Sequence, residues 1–278
     1  MEKVVVQSLW TKPFNDKAKL RDTLYMAALS LAFAQRSGYK VHMHTDDYGY
    51  EFLKDFGYDK ITKTLNKIPN SVPCELFAVS KFFALKEEGT IGVVHADVDV
   101  FLKKPCIDKF FTNKNIDVIC QQEESTESYL PDHKGRSCNI HIIGYPASTR
   151  PDWQGSMNTG VIGFNNSSLA EKYMNNYFEA LGMYTKEVFD EYKQKHPNCD
   201  ILFDFILEQK TLSYMSVGYN VMTLIPMYNF NVVANEIGYA HFQGLTKWQE
   251  KNIQAVKNRL NSLDGTLFNI TTKASESI

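Results

Sequence analysis

The chain is 278 residues long, 44% hydrophobic and 13% aromatic, which supports a buried core of enzyme size and excludes the disordered and fibrous classes. Its 30 basic and 32 acidic residues leave a formal charge of -2, without the basic excess that nucleic-acid binding demands. Met1–Val6 is no secretory signal and the longest nearly apolar stretch, Met26–Ala34, is too short to span a bilayer, so a cytoplasmic protein without a transmembrane segment is expected.

Val4–Trp10 is β-branched and apolar and predicts a short buried strand, ended by Thr11-Lys12-Pro13. From Asp16 to Ser37, Leu20, Leu24, Ala27, Ala28, Leu31 and Ala34 recur at helical spacing, with Gly38 as the stop. Lys40–Thr45 reads as a second strand, Tyr50–Phe56 as a helix and Lys60–Thr64 as a third strand. Leu76, Val79, Phe82, Phe83 and Leu85 make Glu75–Glu88 a helix closed by Gly89, and Ile91–Ala96 follows as a fourth strand. This alternation predicts an α/β fold with right-handed crossovers and a mostly parallel sheet flanked by helices, whose ligand crevice lies at the carboxyl ends of the strands.

The second half is less regular. Strands are expected at Asp117–Cys120 and Gly160–Phe164, with a polar segment from Glu123 to Arg136 between them. A capping box at Ser168–Glu171 opens a helix to about Leu181, and a further helix runs from Asp200 to about Leu212 with Gln209 on its apolar face. The five cysteines, Cys74, Cys106, Cys120, Cys138 and Cys199, form no CxxC pair and read as reduced thiols. No repeat or linker divides the chain, which is expected to form one domain over 1–265 with a flexible tail at 266–278.

The sharpest chemical signal is His95-Ala96-Asp97-Val98-Asp99-Val100-Phe101-Leu102, two carboxylates at the end of an apolar strand. In extended backbone residues i and i+2 share a face, so both carboxylates are expected to point to one place. Like charges that close persist when a cation compensates them, and a hard divalent ion does so while bridging to a diphosphate. An isolated Asp-x-Asp is more often a solvated turn, but apolar runs on both sides argue against that here.

This segment, with Lys103-Lys104-Pro105, resembles the DxD region of GT-A glycosyltransferases, most closely bacterial relatives of family 8 and the DxD sugar-transferase group. Met157-Asn158-Thr159-Gly160-Val161-Ile162-Gly163-Phe164-Asn165 resembles the strand that lines their donor-sugar and acceptor pocket, and Glu208-Gln209 is similar to their acidic-Gln pair. His241-Phe242-Gln243-Gly244-Leu245-Thr246-Lys247-Trp248 is similar to their C-terminal motif, lacking its Pro. The likeness runs over roughly residues 1 to 250, in the family's order.

The resemblance implies a GT-A fold with residues 1–105 as the nucleotide-binding half and 106–265 as the acceptor side. It further implies Mn2+ or Mg2+ held by Asp97, Asp99 and His241, Lys247 at the diphosphate, Gly244 and Thr159 at the donor or substrate, Asn158 and Gln209 near the transferred sugar, and Asp97, Asp99, Glu208 and Gln209 as the catalytic set. Read without the likeness, Gln209 is equally a hydrogen-bonded core amide and Glu208 a solvent-exposed acid. Lys81 resembles a basic position near the donor, although a helix lysine is more often solvated. The donor would be a nucleotide sugar, a UDP-sugar above others, and the acceptor a glycan, lipid-linked or protein hydroxyl.

Ser8-Leu9-Trp10-Thr11 stands where family 8 carries Ala-x-Asp, so Trp10, Thr11 and Asp46 are the candidates for the base and ribose, Trp10 being more often core in such a position. Likeness to family 8 favours retention of configuration; an inverting enzyme would need a base, for which Glu123, Asp152, Asp200 and Asp204 are the candidates. A nucleotidyltransferase would instead begin with a Gly-rich phosphate loop, which Thr11-Lys12-Pro13-Phe14 is not. A non-catalytic module that binds sugar nucleotides or glycans is the remaining alternative.

Overall fold

The computed structural model describes residues 2–125, 155–183, 185–195, 205–226, 230–242 and 247–278. In its first part the expected alternation is present: β1 (Val4–Leu9), α1 (Lys17–Arg36), β2 (Lys40–Thr45), α2 (Asp47–Leu53), β3 (Lys60–Thr62), α3 (Val79–Glu88) and β4 (Val93–Ala96). The Asp16 side chain caps α1 by accepting from the Ala18 N–H, and Gly89, at φ 89°, closes α3 in the left-handed conformation that glycine adopts without strain. There follow β5 (Val100–Leu102), α4 (Asp108–Thr112), β6 (Val118–Ser125), β7 (Gly155–Phe164), α5 (Ser167–Met183) and α6 (Lys186–Lys195). The described part closes with α7 (Thr211–Met215), β8 (Val221–Thr223), α8 (Phe230–Ile237), β9 (Tyr239–His241), α9 (Glu250–Leu263) and α10 (Gly265–Glu276).

The main sheet has the order β3-β2-β1-β4-β7-β6-β8, and β5 and β9 pair separately. All its pairings are parallel except those of β7, which runs against both β4 and β6, so the sheet is mostly parallel as expected. Alternation along the strands divides the core between two faces. Val5, Leu9, Val94 and Ala96 pack with α1, α9 and α10, whereas Val6, Val93, Ile162 and Phe164 pack with α3 and α5. Each such fully buried Leu, Val or Phe contributes about 1.5–3 kcal/mol, which makes this two-sided burial the main support of the sheet.

Several expectations for the second half are corrected. Helix α5 starts two residues earlier than a box capped by Ser168 implies, because Asn166 Oδ1 accepts from the Leu169 N–H and serves as the cap. Phe205–Lys210 is a π-helical turn leading into α7 rather than a continuous α-helix; 200–204 lie outside the described residues. The expected flexible tail is α10: Asp264 caps it by accepting from the Leu267 N–H at 2.9 Å, and the hydroxyl of Tyr25 on α1 bonds to Thr272 at 3.1 Å. Among the described residues no helix is long and apolar enough to cross a membrane.

Candidate active site

Strand β4 stops at Ala96, and Asp97, Val98 and Asp99 form a turn closed by the Val100 N–H donating to the Asp97 carbonyl at 2.9 Å. The carboxylates are therefore gathered by a turn between two sheets, not by the extended alternation expected from the sequence. The Asp97 N–H donates to the Gly160 carbonyl on β7 at 2.9 Å. Immediately after the turn, β5 pairs antiparallel with β9, which sets Val100 opposite His241, and the Phe242 N–H donates to the Asp99 carbonyl at 3.2 Å. A contact between distant parts of the chain thus delivers the imidazole to the turn.

Ligand atoms of Asp97, Asp99 and His241 all lie within 4.8 Å of one another. His241 Nε2 is 3.4 Å from Asp99 Oδ1, and Lys247 Nζ donates to Asp99 Oδ2 at 2.9 Å. Burial alone would push the Asp99 carboxyl up, but the Lys247 ammonium and His241 hold it well below the usual carboxylate range. Lys247 is raised in turn, because the attraction of Asp99 outweighs the effect of burial. Asp99 is buried, whereas the Asp97 side chain is 35% exposed, so the cluster opens to solvent through Asp97. Two carboxylates and an imidazole form a mixed oxygen and nitrogen donor set that fits a divalent cation.

On the other face of the sheet Lys81, the basic residue that family likeness sets near the donor and that a helix surface would more often leave solvated, is buried at the same tip. Its ammonium donates to the Thr159 carbonyl at 2.7 Å and to Glu208 Oε1 at 2.5 Å, and lies 3.3 Å from Asp97 Oδ1. Burial would lower its pKa, but the two carboxylates overcome this and raise it; Glu208 is itself raised, chiefly by burial, with Lys81 opposing. Asn158 is also buried and committed: its Nδ2 donates to Glu124 at 3.1 Å and its Oδ1 accepts from the Gly160 N–H at 3.0 Å. Gln209 is half-buried, with its Oε1 accepting from the Ser156 hydroxyl at 3.4 Å.

The candidates for base and ribose have other occupations. Trp10 is buried in the core under α3. Asp46 caps α2 by accepting from the Gly49 N–H at 2.8 Å, while its other oxygen accepts from the Thr11 N–H and hydroxyl at 2.8 and 2.7 Å. The pair Thr11 and Asp46 therefore ties the carboxyl ends of β1 and β2 together. Gly244, Asp152, Asp200 and Asp204 lie outside the described residues; Glu123 is exposed on β6.

Sequence reasoning passed over Gln121, Tyr239 and the reason for Gly160. A Cβ on Gly160 would lie 2.6 Å from Gln121 Oε1 and 2.7 Å from His241 Cε1, so only glycine lets these side chains close on β7. The signal available was the glycine following Asn158-Thr159 in a strand, where glycine marks a close approach.

A family model described as "Family of unknown function (DUF6734)" matches residues 3–270. No curated protein matches the chain. Among solved structures it is similar to mouse xyloside xylosyltransferase 1, with 11% identity over 81% of this chain and 85% of that one and a TM-score of 0.38. It is also similar to the glycosyltransferase GlyE of Streptococcus pneumoniae, with 14% identity over 99% of this chain and 64% of that one and a TM-score of 0.45. The galactosyltransferase LgtC, solved with donor and acceptor sugar analogues, is 11% identical over 95% of each chain with a TM-score of 0.42.

Proposed function

We propose that this chain, which belongs to the DUF6734 family, is a metal-dependent glycosyltransferase moving a hexose from a nucleoside diphosphate sugar, a UDP-sugar above others, to a glycan, lipid-linked or protein hydroxyl. The observation that carries the reading is the convergence of Asp97, Asp99 and His241 within 4.8 Å at the carboxyl tip of β4, where an α/β sheet presents its ligand crevice. In this reading the DxD and C-terminal motifs of the sequence supply those three side chains. A divalent cation bound there would neutralise the charge that builds on the diphosphate as the glycosidic bond breaks.

The remaining roles follow from what each side chain can do. Asp99 is kept ionised by Lys247, and Asp97 offers the accessible carboxylate. Lys247, only partly exposed and bonded to Asp99 at 2.9 Å, has donors left for a departing phosphate oxygen. Lys81 bridges Asp97 and Glu208 and fixes the Thr159 carbonyl, so that β7 holds its position beside the turn. Asn158 and Gln209 border the transferred sugar. Incubation with a panel of UDP- and GDP-sugars and Mn2+ tests the reading: free nucleotide is released, and the release is lost in Asp97→Ala and Asp99→Ala. Binding without release, in the presence of diverse acceptors, would indicate a sugar-nucleotide-binding module instead.

A further inference from the structure

Gln121 is fully buried on β6, and its amide serves two donors at once. Its Oε1 accepts from the Tyr239 hydroxyl at 2.6 Å and lies 2.7 Å from His241 Nδ1, a distance at which an acceptor-only oxygen calls for a proton on that nitrogen. Its Nε2, equally buried, has no hydrogen-bond partner among the described residues. A buried amide normally satisfies both ends, so an orientation that gives up the nitrogen to place the oxygen between two donors is set by those donors.

Three features of the backbone enforce this orientation. The carbonyl of Gln121 is tied to the chain after β8, accepting from the Leu224 and Ile225 N–H groups at 3.0 and 2.9 Å. The β6–β7 register shifts between Cys120 and Gln122, leaving Gly160 beside Gln121. Gly160, lacking a side chain, admits both Gln121 and His241, and its carbonyl holds the Asp97 N–H. One irregularity in β7 therefore locates two of the candidate cation ligands, Asp97 directly and His241 through Gln121.

We infer that Gln121 is a positioning residue that keeps the proton of His241 on Nδ1 and so turns the Nε2 lone pair toward the cation site. This rests on the metal reading above. An imidazole binds a metal through a nitrogen without a proton, and which nitrogen that is depends on the bond made by the other one. An uncharged amide oxygen fixes the tautomer without adding a further negative charge beside Asp97 and Asp99. Tyr239, by donating to the same oxygen, holds the amide against rotation.

The test is Mn2+ titration followed by the electron paramagnetic resonance signal of the free ion. Gln121→Leu is expected to weaken Mn2+ binding about 10- to 100-fold, as loss of an outer-shell partner does. Gln121→Glu, which keeps an acceptor for Nδ1–H, restores binding, and Gln121→Leu has no further effect once His241 is replaced by Ala. Should Gln121→Leu fail to fold, 13C and 15N shifts of histidine-labelled unaltered protein at about pH 8, above the ordinary imidazole pKa, read the tautomer directly. Neutral His241 with its proton on Nδ1 supports the inference. A folded Gln121→Leu that binds Mn2+ like the unaltered protein, or a proton found on Nε2, overturns it while leaving the metal reading intact. Failure of the unaltered protein to bind any divalent cation overturns both.

Discussion

Two clusters of buried ionisable groups are built on the same sheet and have opposite characters. Beside β2 and β3, Glu88 receives His42 Nδ1 and His44 Nε2, each at 3.0 Å, and the Lys60 ammonium at 2.6 Å, while His44 Nδ1 meets the Thr64 and Thr62 hydroxyls at 3.1 and 3.0 Å. At the tip of β4, Asp97, Asp99 and Glu208 face Lys81 and Lys247, and His241 Nε2 points in beside them. The edge cluster is a closed network in which the acid has its own donors. The tip cluster gathers more acid than its lysines answer, and its most exposed carboxylate faces solvent. Burial of charge alone therefore does not mark a site; convergence of acceptors that the protein itself leaves short of donors does.

The largest expected effect breaks the tip. Lys81→Met leaves Glu208 buried without its cation and is expected to cost about 3–5 kcal/mol in urea denaturation, part of it recovered by adding Glu208→Gln. A cost below about 1 kcal/mol, the usual worth of an exposed pair, would mean that the pair is solvated after all.

A smaller and pH-dependent effect is expected at the edge cluster. Burial pushes the Glu88 carboxyl up, but Lys60, His42 and His44 bring it below its ordinary value of 4.5. Its stabilisation is thus present above that value and lost as pH falls through the folded pKa. Burial also lowers the pKa of His44 despite Glu88, so the folded state resists protonating it and stability declines further as pH drops below 6.5. Glu88→Gln is expected to cost about 2 kcal/mol at neutral pH, with the gap to the unaltered protein closing in acid and Mn2+ affinity unchanged. A gap that widens in acid would reverse the sign argued for Glu88.

The smallest effect concerns the loop between the two clusters. Asp46→Ala removes the α2 cap and the tie to Thr11, for a loss of about 1 kcal/mol in thermal or urea unfolding. No loss would show that neither bond contributes.

How far the sequence could be read depends on how local the pattern is. β2 was legible to the residue and α1 nearly so, because each signal lies within one contiguous stretch of apolar spacing. Helix α10 was missed since its buried side, Leu267, Thr271 and Ser275, is mostly hydroxyl-bearing and carries no apolar period, even though its four-residue spacing is helical. The π-helical turn at Phe205–Lys210 has no distinct spacing signal, so its apolar pattern predicts ordinary helix. Within the site, Asp97 and Asp99 announced themselves by proximity in sequence. His241 came from motif likeness alone, because it depends on pairing between two three-residue strands, too short for periodicity to reveal. Trp10 and Asp46 stand at strand ends, where the sequence points to a ligand, and their packing and helix capping depend on neighbours that the local pattern does not show.

The central claim is that the acidic turn and the imidazole hold a cation shared with a diphosphate. Calorimetric titration of UDP, with and without Mn2+, into the unaltered protein and into Asp99→Asn tests it most directly. The account predicts UDP binding that requires Mn2+ and disappears in Asp99→Asn; equal binding without the cation, or undiminished binding to Asp99→Asn, would contradict it.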